Sequence, residues 1–269
     1  MWLSSNFIPS TMAPEDIEHQ AALARLVSPL RNSLPMAALL AAVGGFLDAF
    51  TYFGHGRVFA NAMTGNIVLL GSFAAARDWR QAFRHLTPIA AFLLGVATAQ
   101  LPRIPAIRKS ITDAALAVLA AEIAFLLAAG VYPENCPDFP LVLGISFVAA
   151  LQSSTFDRVH KWSYSSTMTT GNLRHFGETA FRALFEGPDP EAMHQTRLFG
   201  AICVSFLGGA TLGALCVSRM HNKALWVACM LLIFADLLLV VERRHAEFKA
   251  NGAGPSEATA ADSFSAEVR

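Results

Sequence analysis

The sequence has little charge for its length, and this scarcity narrows the classes of protein to which it can belong. Only 15% of its 269 residues are Asp, Glu, Lys or Arg, whereas 54% are hydrophobic. A composition so poor in charge predicts an integral membrane protein, with the lipid bilayer as its main partner. The formal net charge of zero gives no sign of binding to nucleic acid, and we expect none.

The sequence also lacks the clusters that metal sites and most enzymes need. Its four cysteines do not form a set: three lie in apolar stretches without metal-like spacing, and the fourth is alone in a short loop. They predict neither a disulfide framework nor a metal centre. A paired-His motif and a constellation of Ser, His and Asp are missing as well. We therefore expect no metal, no cofactor and no enzymatic activity.

The chain contains an internal duplication. Thr-Gly-Asn occurs at 64–66 within ANAMTGNIVLLG and again at 170–172 within STMTTGNLR. Three more short matches occur in the same order, and they join 45–48 to 149–152, 95–98 to 208–211, and 121–122 to 235–236. Ordered matches of this kind predict two membrane repeats, which we place at 36–132 and 141–245.

Polar segments flank the two repeats. Residues 1–35 are predicted to be a polar cytoplasmic segment, and residues 246–269 a disordered tail. The apolar stretches between them are 36–53, 61–76, 86–101, 112–132, 141–156, 165–185, 198–217 and 224–241. The two that contain Thr-Gly-Asn are unusual. The first has about 16 residues, short of the roughly 20 needed to cross a bilayer, and the second is rich in charge.

Two topologies fit these stretches. If both Thr-Gly-Asn segments cross the membrane, there are eight spans and the repeats are parallel. If both enter and return, six spans remain and the repeats are inverted. The six-span topology places most of the 20 Lys and Arg residues on the cytoplasmic side, and the loop at 133–140, which has neither, outside. We favour an all-α membrane protein of about six transmembrane helices plus two re-entrant or broken segments, with cytoplasmic termini.

The Thr-Gly-Asn segments have the residue types of a binding site. Irregular backbone at membrane depth is tolerated only where it is buried in protein or lines a wet cavity. Gly allows close approach, Thr can cap the following helix, and Asn offers donors and acceptors. The predicted substrate-binding residues are Thr64, Gly65, Asn66, Thr170, Gly171, Asn172, and the aligned pair Asp48 and Gln152. The alternative is that the motif only lets two helices pack closely.

Acidic residues inside apolar stretches form a second candidate group. An ionisable side chain within a span is costly, so it marks a functional candidate. Glu122 and Asp236 occupy matched places in the two repeats, and we predict that both couple proton binding to the state of a shared central site. The alternative is that each simply forms a hydrogen bond to a neighbouring helix.

Two segments resemble a known family. GGFLDAFTYFGHGRVFANAMTGNIVLLG and ALQSSTFDRVHKWSYSSTMTTGNLR resemble the signature regions of the YoaK-like family, also called domain of unknown function 1275. The resemblance covers roughly residues 37–241. It implies a multi-pass protein of the bacterial inner membrane whose activity is not established, and it supplies no substrate or catalytic residue.

Three kinds of function remain open. A secondary transporter or proton-coupled permease for a small solute fits the duplication, the broken segments and the buried acids. A membrane assembly or sensing component would instead dock a partner through the polar region 174–197. An intramembrane enzyme is the weakest of the three. The oligomeric state, including a homo-oligomer, is not readable from the sequence.

Overall fold

In the computed structural model the chain folds into α-helices and one small hairpin. The structure describes residues 30–104 and 113–252. The helices are α1 (Leu34–Gly54), α2 (Met63–Ala75), α3 (Trp79–Thr98), α4 (Ala114–Ala129), α5 (Phe139–Thr155), α6 (Thr169–Phe185), α7 (Pro190–Met220) and α8 (Leu225–Gly252). Short 3-10 turns lie at Leu101–Arg103 and His221–Ala224. Strands β1 (Arg158–Val159) and β2 (Trp162–Ser163) pair antiparallel. Residues 30–240 form one compact unit.

The helices have the composition and the exposed surface of a membrane protein. Three stretches within the described residues are long and apolar enough to cross a membrane: Leu34–Gly54, Trp79–Arg103, and the 53-residue stretch Pro190–Glu242. Shorter apolar helices are Met63–Ala75, Ala114–Ala129 and Phe139–Thr155. Large apolar side chains stay exposed along α3 and α7, such as Leu93, Leu94, Val204 and Leu207. Apolar faces of this kind can lie against lipid without a cost in free energy, whereas their exposure to water would be unfavourable.

Two helices begin earlier than the apolar pattern predicts. Helix α3 starts at Trp79 rather than near residue 86, and α7 starts at Pro190 rather than near residue 198. In both cases an aspartate caps the first turn of the helix. Asp78 accepts from the Gln81 N–H, and Asp189 accepts from the backbone N–H groups of Glu191 and Ala192. These predicted boundaries were wrong because a cap, not apolarity, fixes where a helix begins.

The predicted disordered tail is partly helical. Helix α8 continues to Gly252, so the tail predicted from residue 246 is wrong for residues 246–252. Their sequence, AEFKANG, contains good helix formers that extend the preceding span. Residues 1–29 and 253–269, which include most of both predicted terminal segments, lie outside the described residues. The boundaries of the two predicted repeats stay predictions.

Helices α1 and α7 pack through glycine. A Cβ on Gly45 would overlap the backbone oxygen of Phe206, and a Cβ on Gly209 would overlap that of Ala42. A Cβ on Gly213 would likewise overlap the backbone oxygen of Phe46. Residues later in α1 contact residues later in α7, so the two helices run parallel. Close approach of this kind is how membrane helices gain packing energy without a hydrophobic driving force.

The other helices pair in a related way. Gly95 of α3 packs against Phe147 and Ala150 of α5, and the starts of these two helices share a cavity, so they too run parallel. Helices α4 and α8 are antiparallel. The Trp226 Nε1–H donates to the Leu127 backbone oxygen, and further along α8 the charge of Asp236 is close to that of Asp113, at the start of α4.

The bundle has two ends, which we name by one residue each. At the Asp138 end, Nδ1 of His55, just after α1, lies 2.8 Å from Oδ1 of Asp138, just before α5. At the His160 end, the His160 N–H donates to the backbone oxygen of Asn32, just before α1. Because these contacts hold opposite ends of α1, α1 and α7 run toward the Asp138 end, and α3 and α5 run away from it.

Helices α2 and α6 begin between the two ends. After α1 the chain turns back along it until the Asn61 side chain donates to the Gly44 backbone oxygen, at 3.1 Å. After α5 the chain turns back from the other end, and a Cβ on Gly44 would overlap the Ser166 backbone oxygen. Gly44 is ten residues before the end of α1, about 15 Å along its axis. Both Thr-Gly-Asn segments therefore meet deep inside the bundle.

Candidate functional site

A cavity of about 720 Å³ lies between the starts of α2 and α6. Its size falls within the range of small-molecule sites. The predicted substrate-binding residues that line it are Asp48, Thr64, Thr170, Gly171 and Asn172. Gly65, Asn66 and Gln152 are not among its lining residues. The structure thus brings residues of both Thr-Gly-Asn segments to one cavity, and substrate binding by them stays a prediction.

The two asparagines make the same pair of hydrogen bonds in each half. Asn66 Oδ1 accepts from the Phe59 N–H at 3.1 Å, and its Nδ2 donates to the Phe59 backbone oxygen at 2.7 Å. Asn172 does the same with Ser165, at 3.2 and 2.7 Å. Both side chains are buried. Each amide therefore satisfies both backbone groups of the residue seven positions before it, which lipid could not do.

The two threonines do not cap the helices that follow, contrary to the sequence interpretation. Helix α2 starts at Met63 and α6 at Thr169, so Thr64 and Thr170 already lie within the first turn. Their side chains are exposed, and both line the cavity. The prediction was wrong because other side chains, Asp48 and Ser165, hold the backbone just before these helices.

Asp48 is positioned by α1 and faces the start of α2. Its Oδ1 accepts from the backbone N–H groups of Asn61 at 2.7 Å and Ala62 at 3.3 Å. A carboxylate at a helix start is favoured by the helix dipole and by the free N–H groups there. Asp48 is therefore tied to the first Thr-Gly-Asn segment, and it is the acid on that wall of the cavity.

Gln152, the aligned counterpart of Asp48, makes different contacts. Its Nε2 donates to Oε2 of Glu122 at 2.8 Å, and its Oε1 accepts from the Ser166 hydroxyl at 3.3 Å. Glu122 is completely buried on α4, and its Oε1 has no hydrogen-bond partner among the described residues. This network connects α4 and α5 to the second Thr-Gly-Asn segment.

The structure does not bring Glu122 and Asp236 together. Asp236 is half-buried on α8, and its neighbour is Asp113, the residue that caps α4. Glu122 lies nine residues further along α4, roughly 13 Å along the helix axis. The position of both acids beside one central site, and a proton-coupling role for either residue, stay predictions.

The rest of the cavity wall includes several aromatic side chains. Tyr52 and Phe59 stack with ring centroids 4.8 Å apart, and Phe206 of α7 also lines the cavity. Tyr164 also lines the cavity, and its buried hydroxyl has no partner among the described residues. Sequence reasoning missed Tyr164. The alignment of the two halves contains a signal for it, because it pairs Tyr164, which has a polar hydroxyl, with the apolar Val58.

The comparisons with known proteins fit this structure. A model of the family described as "Protein of unknown function (DUF1275)" matches residues 36–238. The chain belongs to this family. The UPF0700 transmembrane protein YoaK of Bacillus subtilis (strain 168) is 29% identical over 206 residues, which cover 75% of this chain and 91% of that protein. No solved structure matches the chain.

Membership of the DUF1275 family confirms the resemblance seen in the two signature segments. The matched range contains every predicted site residue from Asp48 to Asp236. The name of the Bacillus relative describes a transmembrane protein, in agreement with the apolar helices. This DUF1275 chain is thus an integral membrane protein, and its function has to be argued from the cavity.

Proposed function

We propose that this protein is a secondary transporter or proton-coupled permease for a small solute, which binds in the cavity between α2 and α6. The observation that carries this proposal is that residues of both Thr-Gly-Asn segments line one cavity deep inside the bundle. Helix starts buried at membrane depth, facing a cavity, are the way in which transporters built from inverted repeats hold their substrates.

The proposed topology has six spans and two re-entrant segments. The spans are α1, α3, α4, α5, α7 and α8, and the re-entrant helices are α2 and α6. The parallel pairs α1 with α7 and α3 with α5 support an inverted duplication, because the first helix of each half packs on the third of the other. Both termini would then lie in the cytoplasm, at the His160 end, and the membrane would be the bacterial inner membrane.

The buried acid on α4 supports coupling to protons. In the described part of the chain Glu122 has no cation among its hydrogen-bond partners, and a charged carboxylate in such a place is costly. Its contact with Gln152 leads to Ser166, in the segment that meets Gly44. A change of protonation at Glu122 would therefore alter the support of the second re-entrant segment. Among the described residues, Asp236 has no comparable connection to the cavity.

The alternative, a non-transporting assembly or sensing component, would use the region 174–197. Apolar side chains at Phe181, Leu184 and Phe185 are exposed there, which favours a docking surface. Two charged groups of the same region already have partners within the chain, because Arg174 pairs with Glu178 and Arg182 donates to Gln195. We prefer the transporter, and we propose no catalytic activity for either case.

The test is uptake by purified protein in proteoliposomes, with a panel of labelled organic solutes and an imposed pH gradient. Thr170→Trp should fill the cavity and abolish accumulation of the accepted solute. Leu173→Trp is the matched control, because Leu173 is exposed on the same helix and does not line the cavity. Equal uptake by both variants would contradict a role of the cavity. A stoichiometric partner that copurifies with a protein inert in uptake would support the alternative.

A further inference from the structure

Asp48 supplies the carboxylate among the described residues that line the cavity, although its side chain is only 6% exposed. Its Oδ1 accepts from the backbone N–H groups of Asn61 and Ala62, whereas its Oδ2 accepts no hydrogen bond from a described residue. Oε1 of Glu122 is also unpartnered, but that atom is sealed from solvent and Oδ2 of Asp48 is not. One oxygen of the Asp48 carboxylate is therefore free to meet a molecule in the cavity.

The Asp48 carboxylate has no counter-ion in the described part of the chain. No Lys, Arg or His of the described ranges forms an ion pair with it. The described lining contains no Lys or Arg, and the ring of its histidine, His175, stacks on Phe199 with centroids 4.9 Å apart. A buried carboxylate is costly unless a cation or hydrogen bonds to both oxygens compensate for the loss of water. A positively charged ligand would supply the missing partner.

Aromatic rings lie beside this carboxylate. Tyr52 follows Asp48 by four residues on α1, so the two side chains share one face of the helix, roughly 5–6 Å apart at Cβ. The Tyr52 ring stacks on that of Phe59 with centroids 4.8 Å apart, and both line the cavity together with Phe53 and Phe206. The face of an aromatic ring attracts a cation, and this attraction strengthens where water is excluded. A carboxylate next to such rings suits an organic cation.

The composition and size of the cavity favour an organic cation over a metal ion. A bound metal ion needs several ligands, and the described residues contain no group of three or more His, Cys, Asp or Glu that could hold one. The volume of about 720 Å³ lies in the range of cavities that bind small organic molecules. The aromatic rings would pack against the apolar body of such a molecule.

We propose that the solute is an amphipathic organic ammonium ion, whose charged nitrogen donates to Oδ2 of Asp48 and whose apolar body packs against Tyr52, Phe59 and Phe206. This assignment rests on the proposed function, since it names the solute class of the same cavity. Gln152, which aligns with Asp48, is uncharged and is not among the lining residues. The charge that recognises the solute thus comes from the first half of the chain.

The first test uses the unsubstituted protein. Purified protein is incubated with tritiated 3-phenylpropylamine, whose amine is charged at neutral pH as that of lysine is. The competitors are the unlabelled amine, neutral 3-phenylpropanol and anionic 3-phenylpropanoate, which have nearly the same shape; retention by empty micelles is subtracted. The amine should compete about tenfold or more better than the alcohol, because only the amine pairs its charge with the carboxylate. The anion should compete least, because Asp48 repels it.

The second test locates the site. Asp48→Asn should weaken binding of the amine about tenfold or more. Asp78→Asn is the matched control, because it makes the same chemical change at an exposed helix cap outside the cavity lining, where Asn caps as well as Asp. Tyr52→Leu leaves the carboxylate in place and should weaken binding of the amine about threefold to tenfold, with less effect on the alcohol. It provides a second measurement if Asp48→Asn does not fold.

The outcomes separate this assignment from the proposal of transport. Failure of the amine to bind, equal competition by amine and alcohol, stronger competition by the anion, or unchanged binding in Asp48→Asn would overturn the organic cation. Uptake of another solute that Thr170→Trp abolishes would still support transport in that case. Binding of the amine that depends on Asp48, without its accumulation in proteoliposomes, would support the cation site and contradict the transporter.

Discussion

Replacing either motif asparagine by leucine tests what these residues do. Asn66→Leu removes the acceptor for the Phe59 N–H and the donor for the Phe59 backbone oxygen, and Asn172→Leu does the same at Ser165. Each substitution leaves two partly buried backbone groups without this partner. At about 1 to 3 kcal/mol for each group, the free energy of unfolding should fall by about 2 to 6 kcal/mol per variant.

Unfolding of the purified variants in mixed detergent micelles, followed by circular dichroism, measures this loss. Thr170→Val is the neutral control, because the Thr170 side chain is exposed. If both leucine variants unfold like the unsubstituted protein and lose only uptake, the asparagines bind the solute and our structural account of them is wrong.

Three further predictions concern packing, protons and the acid of the first half. Gly209→Ala should prevent stable assembly, because its Cβ would overlap the backbone of α1, whereas Gly208→Ala should be neutral since a Cβ there meets nothing within 4 Å; monodispersity after purification compares them. Glu122→Gln mimics the protonated acid, so ligand binding measured from about pH 5 to 8 should persist and lose its pH dependence, and Asp236→Asn should do the same if its predicted coupling role is right. An unchanged pH dependence of ligand binding in both variants would indicate that these acids only form structural hydrogen bonds. Asp48→Asn should weaken ligand binding more than it changes the pH dependence of that binding. It should also lower the free energy of unfolding by about 1 kcal/mol, because a neutral oxygen replaces a charged acceptor for two N–H groups.

The sequence predicts the membrane class from its local composition, and it predicts the meeting of the two motifs from the ordered matches between its two halves. Helix α1, expected at 36–53, is observed at Leu34–Gly54. Asp48 and Thr170 were chosen from opposite halves, and both line the same cavity.

The sequence does not predict how the polar groups of the site are used, because hydrogen-bond partners depend on the path of the irregular backbone. The Asn66 amide was expected to face a solute, and it binds backbone seven residues earlier instead. Asp48 and Gln152 align, yet one holds backbone N–H groups and the other holds Glu122. Aligned residues lie at similar positions in the fold, but their hydrogen-bond partners depend on the individual side chains.

The central claim is that the two re-entrant segments enter from opposite sides of the membrane, and sidedness of labelling tests it most directly. Arg80→Cys, at the Asp138 end, and Arg182→Cys, at the His160 end, are placed in protein without native cysteines and treated with a membrane-impermeant maleimide in intact cells and in inverted vesicles. We predict that Arg80→Cys reacts only from outside and Arg182→Cys only from the cytoplasm. Reaction of both from the same side would contradict the inverted duplication and, with it, the shared cavity as the site of transport.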